Sequence, residues 1–117
     1  MSAKKLRWAD LPSDYPMSLM SRRRVMGERM MLSEVRLEPG FVLESHSHFN
    51  EQFVVVLSGR CVFQVGREDG STVEIEMQGG EVLHLPGNVP HGVRVIEATH
   101  ILDIFSPISE KTGVDRA

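Results

Sequence analysis

From Met30 onward glycine interrupts the chain at short intervals, at Gly40, Gly59, Gly66, Gly70, Gly79, Gly80, Gly87 and Gly92. The pieces between are brief and rich in Val, Ile, Leu and Phe, and helix signals are almost absent. Short apolar runs with regular turn signals between them predict an all-β sandwich or barrel. At 117 residues the chain suits a single domain. That domain is taken as 1–117, with 1–10 and 109–117 as peripheral tails.

The runs predict these strands: Met17–Val25, Met30–Glu38, Phe41–His46, Gln52–Leu57, Arg60–Val65, Thr72–Met77, Glu81–Leu85, His91–Ile96 and Thr99–Phe105. Ser58-Gly59 reads as a tight turn between two of them, and Gly66–Ser71 and Pro86–Pro90 as loops. The alternation in Met30–Glu38 slips near Ser33, which predicts a bulge there.

Three of the five histidines stand in informative places. His46 and His48 are two residues apart after a strand, so both imidazoles can face one point. Gln52 follows at even spacing and shares that face, whereas Glu51 at odd spacing faces away. His91 opens a later strand and can meet the first pair across a barrel lumen. Three imidazoles and a carbonyl oxygen suit one divalent ion of Zn, Ni, Mn or Fe. Asp103 is the acid/base residue to expect: it is the one charge inside the apolar run Ile101-Leu102-Asp103-Ile104-Phe105, and it should face either the lumen or water. His84 and His100 read as rim or solvated positions. Arg22-Arg23-Arg24 reads as a solvated or interface run split across two faces, and Cys61 as a small packed residue.

Two motifs carry a resemblance. Gly40–x5–His46–x–His48–x3–Gln52–x6–Gly59 resembles the first cupin motif, with glutamine where glutamate is commoner. Gly80–x5–Pro86-Gly87-Asn88–x2–His91 resembles the second. The resemblance implies a cupin-type double-stranded β-helix, a jelly-roll barrel. Ser47–Gln52, Leu57–Arg60, Pro86–His91 and Ile101–Pro107 further resemble the small cupins of the pectin-degradation protein KdgF family. That likeness implies conversion of 4,5-unsaturated monouronates to the linear keto form on a metal held by three histidines and a glutamine. Where that family tends to carry an arginine suited to a carboxylate, this chain has Ile108-Ser109.

Four neutral ligands leave a dication its full charge, which favours Lewis-acid isomerase or lyase work on a small polar substrate. An iron-dependent dioxygenase and a non-catalytic small-molecule-binding barrel are the alternatives. A net charge of −3 gives no reason to expect nucleic acid or an anionic membrane as partner. One cysteine excludes an intrachain disulfide and fits a reducing, cytoplasmic setting. Open sheet edges predict a homodimer.

Overall fold

The structure, a computed structural model, describes residues 2–108. It is an all-β jelly roll whose strands are β1 (Met20–Met26), β2 (Met31–Leu37), β3 (Val42–His46), β4 (Glu51–Gly66), β5 (Thr72–Gln78), β6 (Val82–Leu85) and β7 (His91–Ser106). A short 3-10 turn, Trp8–Asp10, precedes them, and the Trp8 carbonyl accepts from Arg23 Nη1 at 3.0 Å. No helix among the described residues is long and apolar enough to cross a membrane.

Two pairs of predicted strands are each one strand. β4 and β7 run 16 residues apiece and pair antiparallel almost throughout. Their register shifts only between Val56 and Cys61, opposite Val95 to Ile101. The ribbon bends there, so Ser58-Gly59 is a corner and not a hairpin. Gly59 explains why the ribbon can bend so tightly. Its φ is +92°, and a Cβ built on it would sit 2.1 Å from the Ala98 carbonyl oxygen. Only glycine permits both the backbone angle and that approach.

The bend makes two sheets from one ribbon. On one arm, residues 51–56 of β4 and 99–106 of β7 carry β6 on one side and β2 then β1 on the other. On the other arm, residues 60–66 of β4 and 91–95 of β7 lie between β5 and β3. The inner faces meet in a core of Val35, Leu37, Val54, Val56, Cys61, Phe63, Met77, Val93, Val95 and Ile101, all buried. The corner closes one end of the barrel. The free ends of the ribbon lie at the other, which puts Gln52 on one arm and His91 on the other at the same mouth.

β2 has no bulge at Ser33. Met31, Ser33, Val35 and Leu37 alternate inward without interruption, and the register with both neighbours is continuous. Ser33 breaks the apolar pattern because it faces the lumen, as the direct partner of Asp103.

A three-histidine centre at the barrel mouth

His46 ends β3 and pairs with His91 at the start of β7. Gly92 lets β3 come close enough for this: a Cβ there would meet the Leu43 carbonyl oxygen at 2.7 Å and the Ser45 nitrogen at 3.0 Å. His48 lies just beyond β3, in the connection to β4. Its loop is braced by the one before His91, since the Asn88 amide donates to the His48 carbonyl at 2.8 Å. Asn50, also buried, donates from its side chain to the Pro107 carbonyl and ties the same loop to the end of β7.

The three rings converge. Their centroids lie 4.4 to 5.8 Å apart, and one ligand nitrogen from each falls within 4.8 Å of the other two. Each ring also has Nδ1 at a backbone carbonyl: Glu44 at 3.0 Å for His46, Asn50 at 3.1 Å for His48 and Val89 at 2.9 Å for His91. A neutral imidazole that donates from Nδ1 keeps a lone pair on Nε2, and a carbonyl fixing that tautomer is the usual support of a ligating histidine. Burial pushes His91 down to about 4 and also lowers His48, which favours the neutral form of both rings.

Gln52 is buried and turned to the same point, with Oε1 3.2 Å from His48 Nε2. Its Nε2 donates to Asp103 Oδ1 at 2.9 Å, which fixes the amide with oxygen toward the histidines. Two acceptors, a ring lone pair and a carbonyl oxygen, then face each other at 3.2 Å. Such a pair repels unless a cation lies against both, so the donor set fits a divalent metal ion. Glu51 points outward and meets His84 Nε2 at 2.6 Å, beside the stacked ring of Phe53.

Asp103 faces the lumen two residues deeper than Phe105, the partner of Gln52. Burial pushes its carboxyl up to about 7, with the bond from Gln52 opposing. His46, Gln52, His91 and Asp103 line one cavity of about 60 Å³, otherwise walled mainly by apolar side chains. That is room for a few water-sized groups. His100 is on the outer face against Glu34, at 3.2 Å. Cys61 is fully buried, and burial, with Asp103 next, pushes its thiol up to about 11, so it stays protonated.

Arg22 also departs from the sequence reading. Arg22 is not solvated: it is 3% exposed, lines the same cavity, and forms a forked pair with Asp14 (Nε–Oδ1 3.1 Å, Nη2–Oδ2 2.8 Å). Alternation correctly separates Arg22 from Arg23, but it does not say which of the two faces in. The signal was Met20, an apolar residue two positions before Arg22 and buried on the same face.

The profile of a family described as "Cupin domain" matches residues 33–105. Among solved structures, the study of Mn(II) centres in Bacillus subtilis oxalate decarboxylase aligns with a TM-score of 0.85 and 21% identity, over 96% of this chain and 32% of that one. A structure describing substrate binding and a reaction specificity switch in oxalate decarboxylase aligns at 0.86 and 20%, over 97% and 32%. The Bacillus subtilis enzyme at pH 4.6 aligns at 0.85 and 21%, over 94% and 31%. This chain spans about a third of the length of those proteins, and the likeness is one of fold. No curated protein matches by sequence.

Proposed function

We propose that this chain, which belongs to the cupin domain family, is a metal-dependent isomerase or lyase acting on a small polar acid. The observation that carries the reading is the pair of facing acceptors, His48 Nε2 and Gln52 Oε1 at 3.2 Å, beside the ligand nitrogens of His46 and His91. His46, His48, Gln52 and His91 would hold one divalent ion. Bound there, the ion supplies Lewis acidity, polarising a substrate oxygen and lowering the pKa of bound water.

The chain's own residues supply the proton chemistry. A carboxyl pushed up to about 7 can hold or accept a proton near neutral pH, as a general acid/base must. The Gln52 amide fixes Asp103 toward the lumen, so one side chain both orients the base and faces the metal position. Apolar walls exclude bulk water from the proton's path. None of the four ligands is a carboxylate, which weighs against an oxygen-activating iron site.

The substrate class follows from the resemblance to small cupins acting on unsaturated uronates, and from solved structures named for oxalate, also a small acid. The narrow cavity favours a molecule of few heavy atoms, or one whose reacting end alone enters.

The test is metal analysis of the purified and reconstituted protein, with assays on unsaturated monouronates and on oxalate. One divalent ion per chain is expected, and His48→Ala should lose most of it. Asp103→Asn should keep the metal while turnover falls about 100- to 10,000-fold. A chain that takes up no metal, or near-normal turnover in Asp103→Asn, would sink the proposal.

A further inference from the structure

Ser33 is a polar residue that packing alone does not call for. It lies between Met31 and Val35 on the inward face of β2, is 3% exposed, and lines the cavity shared by His46, Gln52, His91 and Asp103. The other polar side chains of that cavity, Arg22, His46, Gln52, His91 and Asp103, each make at least one hydrogen bond. Among the described residues, nothing bonds to the Ser33 hydroxyl. A buried hydroxyl without a partner costs free energy that alanine in its place would avoid. Yet no buried side-chain oxygen or nitrogen among the described residues is both enclosed and without a partner. The Ser33 hydroxyl is therefore not sealed into the wall, and it opens onto the cavity that the residue lines.

Strand register places an acceptor beside this donor. Ser33 and Asp103 are direct partners across β2 and β7, and both face inward. Their Cβ atoms are then about 5 Å apart. The row they share lies one inward step, about 7 Å, below the row of Met31, Phe105 and Gln52. Asp103 gives Oδ1 to the Gln52 amide. Its Oδ2 takes no bond from a described residue, and by the same reasoning it also reaches the cavity. A hydroxyl donor and a carboxyl acceptor thus stand side by side with open space before both, just below the three-histidine centre.

We infer that Ser33 and Asp103 together seat a hydroxyl group of the substrate: the Ser33 O–H donates to the alcohol oxygen, and the alcohol O–H donates to Asp103 Oδ2. The substrate class is then a small hydroxy acid, with its carboxylate at the metal position and its hydroxyl deeper in the lumen. The inference deepens the metal-dependent reading above and rests on it. An alcohol is the group that fits, because it both accepts from serine and donates to a carboxylate. Ser33 is the specificity residue of the pair: an acid without the hydroxyl leaves it unpaired in an apolar cavity, and a site built for a hydrogen bond discriminates by that loss.

The probes are 3-hydroxypropionate, 4-hydroxybutyrate and 5-hydroxypentanoate, each compared with the plain acid of equal carbon number: propionate, butyrate or pentanoate. They are titrated into zinc-reconstituted protein by calorimetry, with metal content measured on the same samples. At least one hydroxy acid should bind about 3- to 10-fold tighter than its plain partner, the scale of one net hydrogen bond. Ser33→Ala should abolish that advantage and leave zinc content and plain-acid affinity unchanged. Without ligand, its thermal midpoint should equal or exceed that of the unsubstituted protein, since no internal bond is lost. A hydroxyl preference that survives in Ser33→Ala would overturn the inference while leaving the metal reading intact. So would equal binding of the two series to the unsubstituted protein, which a seat filled only by water would give, or no measurable binding of any probe to the zinc-loaded chain. A midpoint for Ser33→Ala several degrees below that of the unsubstituted protein would overturn it too, because the hydroxyl would then have a partner in the fold. A chain without zinc would refute the metal reading instead, and the inference with it.

Discussion

Asp103 and His91 face one lumen and should push the stability of the metal-free protein in opposite directions as pH changes. Asp103 titrates at about 7 in the fold against 3.8 unfolded, so between those values the folded state holds the extra proton. Stability then falls as pH rises through that range. His91 titrates at about 4 against 6.5, so there the unfolded state holds the extra proton and stability rises with pH. At about 1.4 kcal/mol per pKa unit the full effects are roughly 4 kcal/mol for Asp103 and roughly 3 kcal/mol for His91. Water in the cavity screens part of each, so about 2 kcal/mol apiece is the working figure. The contributions nearly cancel, and the unsubstituted protein should show a flat profile from this pair.

Asp103→Asn removes one side of the balance while keeping an oxygen to accept from Gln52. The variant should match the parent near pH 4 and gain on it steadily, reaching about 2 kcal/mol by pH 7.5. Urea unfolding followed by far-ultraviolet circular dichroism, with chelator present and at half-unit pH steps, reads the difference directly. A gap between variant and parent that stays constant across the range would refute the burial of Asp103 in the lumen. So would a parent whose stability climbs as steeply as the variant's.

Gly59→Ala should be severely destabilising, at least about 4 kcal/mol, because a positive φ and a carbonyl oxygen 2.1 Å away must both give; a thermal midpoint near that of the parent would show that the corner is softer than it looks. Cys61→Ala should keep metal content and activity at a cost of about 1 kcal/mol, the loss of one small buried group; inactive but folded and metal-loaded protein would contradict this. A homodimer of twice 13.1 kDa is expected by sedimentation, since Phe53, Leu57 and Val82 leave apolar surface exposed on the outer face of one sheet. Phe53→Glu should dissociate it, and a monomer at all micromolar concentrations would end that expectation.

How much of this was legible depends on what sequence pattern encodes. Side-chain parity is local, and it put Gln52 and Glu51 on opposite faces because β4 is regular where it begins. Strand continuity is not local. A glycine with positive φ serves a hairpin and a barrel corner equally well, so Ser58-Gly59 could not say whether β4 turned back or merely bent. The same ambiguity split β7 at Glu97-Ala98, where the apolar alternation pauses opposite that corner. His46 and His48 converge for a reason the i, i+2 rule does not contain. The register of β3 shifts between Leu43 and His46, and His48 lies outside the strand, held by the bond from Asn88. The stretch 109–117, with Ser109 where the resembling family tends to carry arginine, lies outside the described residues.

The misread positions share a cause. Sequence pattern reads Arg22 as part of a solvated or interface run and Ser33 as a bulge because polar side chains do not belong on the inward face of a strand. Both are inward, on the rows that also carry Asp103 and Ile101. Local rules fail where function overrides them, and here the failures cluster around one lumen. The charges there make a consistent set. Four ligands without charge would leave a bound dication uncompensated, and in the metal-free protein Asp103, at about 7, is only about half ionised at neutral pH. An anionic substrate of the proposed class would add compensating charge, and it would draw Asp103 toward its protonated form by like-charge repulsion. The acid that binds would thus help to load the residue that acts on it.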